Sequence, residues 1–137
     1  MDEERGALVR ARLTKAERKL AAARADLEAS RFDEAVSRAY YAMFHAVRAA
    51  LAARGVQAKT HSGLAALFAE QLVRTGEIDA ELGRWLGQAR RNREIGDYDD
   101  FLAIDPEEAV EAVSRPSMFL EELRAWLARS GYAAASE

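Results

Sequence analysis

The chain has 137 residues with no cysteine and two histidines, which excludes disulfide bonds, thiolate metal sites and an all-histidine zinc site. Its length fits one domain with an ordinary core, and its net charge of -3 means that any nucleic-acid site must be local. The charged start and the lack of a long apolar run predict a soluble, cytoplasmic protein with no membrane segment. The composition gives no reason to expect a bound metal or cofactor.

The first segment carries apolar residues at alternating spacings of four and three, which predicts an amphipathic helix with a narrow seam. The seam consists of Val9, Leu13, Ala16, Leu20, Ala23 and Leu27. The pattern breaks at Ser30-Arg31-Phe32, and Asp33 is the expected N-cap of the next helix, with Glu34 in its first turn. The first two helices are therefore predicted to form an antiparallel hairpin.

The second helix, predicted from about Asp33 to Arg54, has three different sides, which is typical of a central helix in a bundle. The apolar side consists of Val36, Tyr40, Met43, Val47 and Leu51. A strip of small residues, which would allow another helix to approach closely, consists of Ala35, Ala39, Ala42, Ala46, Ala49 and Ala53.

The third side of this helix carries polar and aromatic groups at spacings of three, four and three: Arg38, Tyr41, His45 and Arg48. Two interpretations of this stripe stay open at the level of the sequence. It is either a binding site or a satisfied polar seam between helices.

A third, short helix is predicted between two glycines that suit helix ends, Gly55 and Gly76. Thr60 or Ser62 can cap it, and its apolar members are Leu64, Leu67, Phe68 and Leu72. His61 lies at its start. It is either a capping or loop histidine, or a site residue brought close to the central helix.

A fourth helix is predicted to start at Asp79 and to bury one face, formed by Leu82, Trp85, Leu86 and Ala89. Its end carries three arginines within four positions, Arg90, Arg91 and Arg93, which fan out as a concentrated positive field. Gly96 leaves open whether the helix continues far enough to align Arg91 with Tyr98 two turns later.

The last helix has a strong predicted start at Asp105-Pro106-Glu107-Glu108. One apolar face then consists of Ala109, Val113, Pro116, Leu120, Leu123 and Leu127. Pro116 is expected to kink or divide this helix. With no strand pattern or repeat, residues 1–131 are predicted to form one all-α antiparallel bundle of four or five helices, and residues 132–137 a frayed tail.

Three stretches in this order resemble the HEPN domain family, and within it a group of small stand-alone bacterial and archaeal proteins. They are the runs 38–46 (RAYYAMFHA), 61–63 (HSG) and 93–98 (REIGDY), followed by the acidic start of the last helix. The resemblance covers nearly the whole chain. It implies a bundle that forms a homodimer, with two copies of an arginine-rich motif across a cleft. Trp85, Trp126 and the alanine strip give a second reason to expect a dimer, because their apolar surface exceeds what one core needs.

In active members of that family the motif is an arginine, a polar residue, a few other residues and a histidine, and it cleaves RNA without a metal. Many relatives are toxins paired with a minimal nucleotidyltransferase antitoxin. In one branch that partner adenylylates a tyrosine two residues past the histidine. In this sequence Arg91 and Asn92 match the arginine and polar residue, Tyr98 matches the tyrosine, and Gly96 stands where the histidine would be. In a second register Arg93 is the arginine and Tyr98 takes the histidine position.

The missing motif histidine removes the usual acid or base, and tyrosine, with an ordinary pKa of about 10, is a poor base at neutral pH. His45 or His61 could replace it if the fold brings either one to the arginines.

Three function classes stay open. The first is a toxin-type, metal-independent endoribonuclease that uses Arg91, Asn92, Arg93 and Tyr98. The second is a non-catalytic nucleotide- or RNA-binding partner of a nucleotidyltransferase, and the third is a helical adaptor. The predicted binding residues are Arg38, Tyr41, His45, His61 and Asp97. Tyr98 is the candidate for modification.

Overall fold

The computed structural model describes residues 3–98 and 104–132, and in the stretch 96–98 only the backbone. Within these ranges it contains five α-helices and no strand, so the predicted all-α bundle is confirmed. The helices are α1 (Glu3–Glu28), α2 (Phe32–Ala53), α3 (His61–Phe68), α4 (Ala80–Tyr98) and α5 (Pro106–Arg129). A short π-helical turn, Ala69–Val73, continues α3.

The first two helices form the predicted antiparallel hairpin. Near its open end, Arg12 Nη1 donates a hydrogen bond of 2.9 Å to the carbonyl of Arg48. Near the turn, the Arg38 guanidinium bonds the buried carboxylate of Asp26. The predicted seam of α1 is buried except at Leu27, which is half-buried.

The N-cap of α2 lies two residues before the predicted one. The first helical hydrogen bond runs from the amide of Ala35 to the carbonyl of Arg31, so Arg31 holds the N-cap position and makes no side-chain cap bond. The predicted cap at Asp33 is therefore wrong. Asp33 lies with Glu34 in the first turn, where a carboxylate favours the positive end of the helix.

The apolar side of α2 is buried as predicted, and so is the alanine strip apart from the half-buried Ala53. The strip allows close packing on two sides, since Ala35 and Ala39 share a buried cluster with Ala23 of α1 and Val113 of α5. α2 is thus the central helix that its three-sided pattern predicts.

The predicted helix ends are confirmed at several points. Gly55 has a positive φ of 71°, and the following amide of Val56 returns to the carbonyl of Leu51 at 2.9 Å, which closes the end of α2. Thr60 accepts a bond of 2.8 Å from the amide of Gly63 and so caps α3. At the starts of α4 and α5, Asp79 and Asp105 accept from the amides two residues later, both at 2.9 Å.

The predicted division of the last helix at Pro116 and the predicted start of a frayed tail at Tyr132 are both wrong. α5 is continuous through Pro116, which is buried between Val113 and Leu120 of the same apolar face, so packing on both sides holds the helix across the missing amide. Tyr132, expected to begin the frayed tail, is 7% exposed, and its amide bonds the carbonyl of Leu127 at 2.8 Å. Residues 133–137 lie outside the described part of the chain.

The apolar groups that were expected to form a dimer surface are largely buried within the single bundle. The alanine strip is in the core, Trp126 is 2% exposed with its indole N–H on Glu77 at 3.1 Å, and Trp85 is half-buried. The large apolar residues that the described surface does expose are separate from these: Leu8, Ile95, Val110 and Met118. A homodimer therefore stays a prediction that rests on the family resemblance alone.

Candidate active site

A cleft of about 260 Å³ lies where α2, α3 and α4 meet. Its walls combine a phenol, an imidazole, two guanidinium groups and a carboxylate with small and apolar side chains. They are Tyr40, His61, Ala65, Leu86, Gly87, Arg90, Arg91 and Glu94. Gly87 leaves room on the α4 side, because it has no side chain to fill the space.

His61 lies against the central helix, which is the placement that its functional interpretation requires. The cap at Thr60 starts α3 so that His61 is its first residue. Nδ1 of His61 lies 2.7 Å from the hydroxyl oxygen of Tyr40, and the two rings are stacked with centroids 5.7 Å apart. The imidazole also stacks on Phe44 at 4.8 Å. These contacts fix the position of the ring at the edge of the cleft.

The environment keeps both members of this pair neutral at pH 7. Burial raises the pKa of Tyr40 to about 12, so the phenol retains its proton. Burial, followed by the charges of Arg93 and Arg90, lowers the pKa of His61. When the phenol donates to Nδ1, the imidazole proton is on Nε2; in the reverse arrangement Nε2 is a free base. The pair can therefore give or take a proton at Nε2.

The three arginines of α4 fan out as predicted and take different positions. Arg90 pairs with Glu94 at 3.3 Å, and Arg91 is exposed and donates to the side chain of Gln88 at 3.0 Å. Both line the cleft. Arg93 instead turns toward α2, where its Nη1 donates to the hydroxyl of Tyr41 at 3.0 Å.

Arg93 is held over two aromatic rings. Its guanidinium carbon lies 5.7 Å from the ring centroid of Tyr40 and 5.6 Å from that of Tyr41. Cation–π contact and the bond to Tyr41 attach the end of α4 to the central helix. Its charge also lowers the pKa of His61. Arg93 therefore acts on the site through neighbouring groups, whereas Arg90 and Arg91 face the cleft directly.

The polar stripe of α2 is divided among separate contacts. Arg38 binds Asp26 beside the α1–α2 turn, and Tyr41 binds Arg93. His45 is 8% exposed, with Nδ1 3.5 Å from the Arg48 guanidinium. Burial, followed by the charges of Arg48, Lys15, Lys19 and Arg12, lowers the pKa of His45 to about 4. Of the two histidines, His61 is the one that lines the cleft.

The remaining predicted motif residues lie on α4. Asn92 is half-buried, and its side-chain oxygen accepts a hydrogen bond of 3.0 Å from the side-chain amide of Gln88. The helix continues through Gly96, so the backbone places positions 91 and 98 two turns apart on one helix. The side chains of Asp97 and Tyr98 lie outside the described residues, and their proposed roles stay predictions.

Sequence reasoning missed Tyr40 as a site residue because its position belongs to the apolar side of α2. A buried tyrosine needs a partner for its hydroxyl, and that requirement was the available signal. Arg90 and Glu94, at a spacing of four on the arginine-rich helix, were a second signal.

No group of three or more histidine, aspartate or glutamate side chains is arranged to hold a metal ion in the described ranges. Nor is any helix in that part of the chain both long and apolar enough to span a membrane.

The sequence model of the HEPN domain matches residues 9–126. A protein of Methanocaldococcus jannaschii named "Putative toxin" is 35% identical over 115 residues, which cover 84% of this chain and 78% of that protein. A UPF0332 protein of Gloeobacter violaceus is 43% identical over 63% of this chain and 68% of its own length. A UPF0332 protein of Thermotoga maritima is 33% identical over 71% of this chain and 74% of its own length. The family match spans α1 to α5 and includes the whole cleft, and the chain belongs to the HEPN domain family.

Proposed function

We propose that this protein is a toxin-type endoribonuclease that cleaves RNA without a metal, and that the Tyr40–His61 pair replaces the motif histidine. The observation that carries the proposal is the location of this pair in one cleft with Arg90 and Arg91. The relatives named as putative toxins support the toxin role.

The proposed reaction is attack of a ribose 2′-oxygen on the adjacent phosphorus. His61 Nε2 removes the 2′-hydroxyl proton, the new O2′–P bond forms, and the P–O5′ bond breaks. The products are a 2′,3′-cyclic phosphate and a 5′-hydroxyl, whose oxygen takes a proton from water. Arg90 and Arg91 hold the phosphate and stabilise the charge that builds on its non-bridging oxygens. Tyr40 orients the imidazole: its hydroxyl oxygen accepts a hydrogen bond from Nδ1–H in the tautomer whose Nε2 is the free base.

The proposal retains the partners that the family resemblance implies. Two copies form a homodimer, and a minimal nucleotidyltransferase antitoxin silences the toxin by adenylylating Tyr98. Sedimentation that shows only monomer at roughly tens of micromolar would overturn the dimer. A non-catalytic role as a nucleotide- or RNA-binding partner is the second candidate, and the glycine at the motif histidine position favours it.

The cellular test is expression of the protein alone, with growth and RNA integrity as readouts. Wild type is expected to arrest growth and degrade RNA, and Arg91→Ala and His61→Ala are expected to remove both effects. Arg84→Ala is a matched control, since Arg84 is an exposed arginine of the same helix that pairs with Glu81 outside the cleft. Arrest without RNA loss, or arrest that survives both cleft substitutions, would overturn the proposal.

A further inference from the structure

A second basic surface lies on α1 and α2. Arg12, Lys15 and Lys19 follow one another at spacings of three and four, so they share one side of α1. The bond from Arg12 to the carbonyl of Arg48 joins this side to α2. We name Arg12, Lys15, Lys19 and Arg48 the α1–α2 basic surface. Lys15 is exposed, whereas the other three are partly exposed.

In the described part of the chain, Lys15, Lys19 and Arg48 form no ion pair with an acid, although the protein carries 23 acidic residues. Glu17, the acid that lies between the two lysines in sequence, instead pairs with Arg124 of α5 at 3.0 Å. The charges of all four basic residues also contribute to the low pKa of His45 beneath them. Positive potential is therefore concentrated here on a protein with net negative charge.

An aromatic ring connects the α1–α2 basic surface to the cleft. Phe44 is half-buried, its ring lies 4.8 Å from that of His61, and the Arg48 guanidinium lies 5.9 Å from its centroid. From the cleft toward the α1–α2 basic surface, the His61 imidazole is thus followed by the Phe44 ring and then by the Arg48 guanidinium. Alternation of aromatic and cationic groups is the arrangement by which proteins hold single-stranded nucleic acid, because bases stack on rings while phosphates contact cations.

We infer that the α1–α2 basic surface and Phe44 form a second subsite for the RNA strand that enters the cleft. The inference rests on the proposed function and specifies its substrate as a single strand several nucleotides long. A mononucleotide or dinucleotide occupies only the cleft and does not reach the α1–α2 basic surface. A longer strand continues over Phe44 and places its further phosphates on Lys15 and Lys19.

The test measures binding of 2′-O-methyl RNA, which lacks the attacking hydroxyl and so reports binding without cleavage. A dinucleotide and a twelve-nucleotide strand are titrated at several salt concentrations against wild type and Lys15→Gln/Lys19→Gln. The matched control is Arg10→Gln/Arg18→Gln, which removes the same charge from exposed positions of α1 outside the basic surface. Thermal melts verify that both variants fold.

For the long strand, the lysine variant is expected to bind more weakly and to lower the magnitude of the salt slope by about 1.4, since each neutralised phosphate contributes about 0.7. The dinucleotide should bind both variants alike. Equal slopes for the lysine and arginine variants, or no binding of the long strand to wild type, would overturn the inference. Cleavage is scored separately on unmodified RNA. If the lysine substitutions lower the salt slope of binding but wild type cuts no RNA, the second subsite is supported and the ribonuclease proposal is wrong.

Discussion

The Tyr40 hydroxyl and His61 Nδ1 are 2.7 Å apart, which joins the central helix to the first residue of α3. The contact joins two groups whose pKa values are shifted from their ordinary values in opposite directions. The pKa of the phenol is raised, and the pKa of the imidazole is lowered. The phenol therefore keeps its proton while the imidazole exchanges its own, and the pair can act as one proton-transfer group.

Tyr40→Phe should keep the ring in place but lower activity, because the imidazole loses the group that fixes its tautomer. The loss of one hydrogen bond should also cost about 1 kcal/mol of folding stability. Nitrogen NMR of His61 measures the tautomer directly. A mixed tautomer in the variant and a single one in wild type is the expected result, and identical spectra would contradict the role of Tyr40.

His45→Gln should remove a specific pH dependence of stability. The folded-state pKa of about 4 lies below the ordinary 6.5, so the unfolded chain binds this proton more tightly. The free energy of unfolding therefore falls as pH drops from 6.5 to 4, by at most about 3 kcal/mol from this group. Urea denaturation at pH 7 and pH 5 measures the change. An equal loss of unfolding free energy in wild type and variant between pH 7 and pH 5 would show that His45 is not the source of the pH dependence.

Arg38→Ala tests whether the polar stripe of α2 is a seam or a site. The Asp26 side chain is 2% exposed, and although burial raises its pKa, the bonds from Arg38 and Arg31 lower it overall. Removal of Arg38 should therefore destabilise the fold by about 1–3 kcal/mol and leave RNA binding unchanged. A thermal melt beside a binding assay, with Arg31→Ala for comparison, separates the effects. Normal stability with weakened binding would make Arg38 a binding residue.

Tyr98→Phe tests the proposed regulation, since it removes only a hydroxyl. With a nucleotidyltransferase partner and ATP, wild type should gain the mass of one adenylyl group and lose toxicity. The variant should fold normally and gain no mass. Modification of the variant to the same extent would exclude Tyr98 as the acceptor.

The fold was largely predictable because hydrophobic spacing and cap residues report directly on helices. The helix boundaries predicted at Asp33 and Pro116 were wrong for the same reason. Each suggests a local boundary. However, α2 is capped two residues earlier, at Arg31, which bonds Asp26 in the turn, and core packing keeps α5 continuous at Pro116.

The candidate site was only partly predictable. Arg91 is recognisable from the motif, and His61 was an open alternative. The pairing of His61 with Tyr40 depends on how α3 packs on α2, and no local sequence pattern encodes that contact.

Cleavage of end-labelled RNA by the purified protein in excess EDTA tests the central claim most directly. His61→Ala is compared with wild type, and Lys59→Ala, an exposed neighbour in the preceding loop, is the control. Wild type and the control should release 2′,3′-cyclic phosphate ends, while His61→Ala should be slower by about 100-fold or more, the usual effect of losing a general acid or base. Equal cleavage by His61→Ala and wild type, or no cleavage by wild type, would contradict the claim.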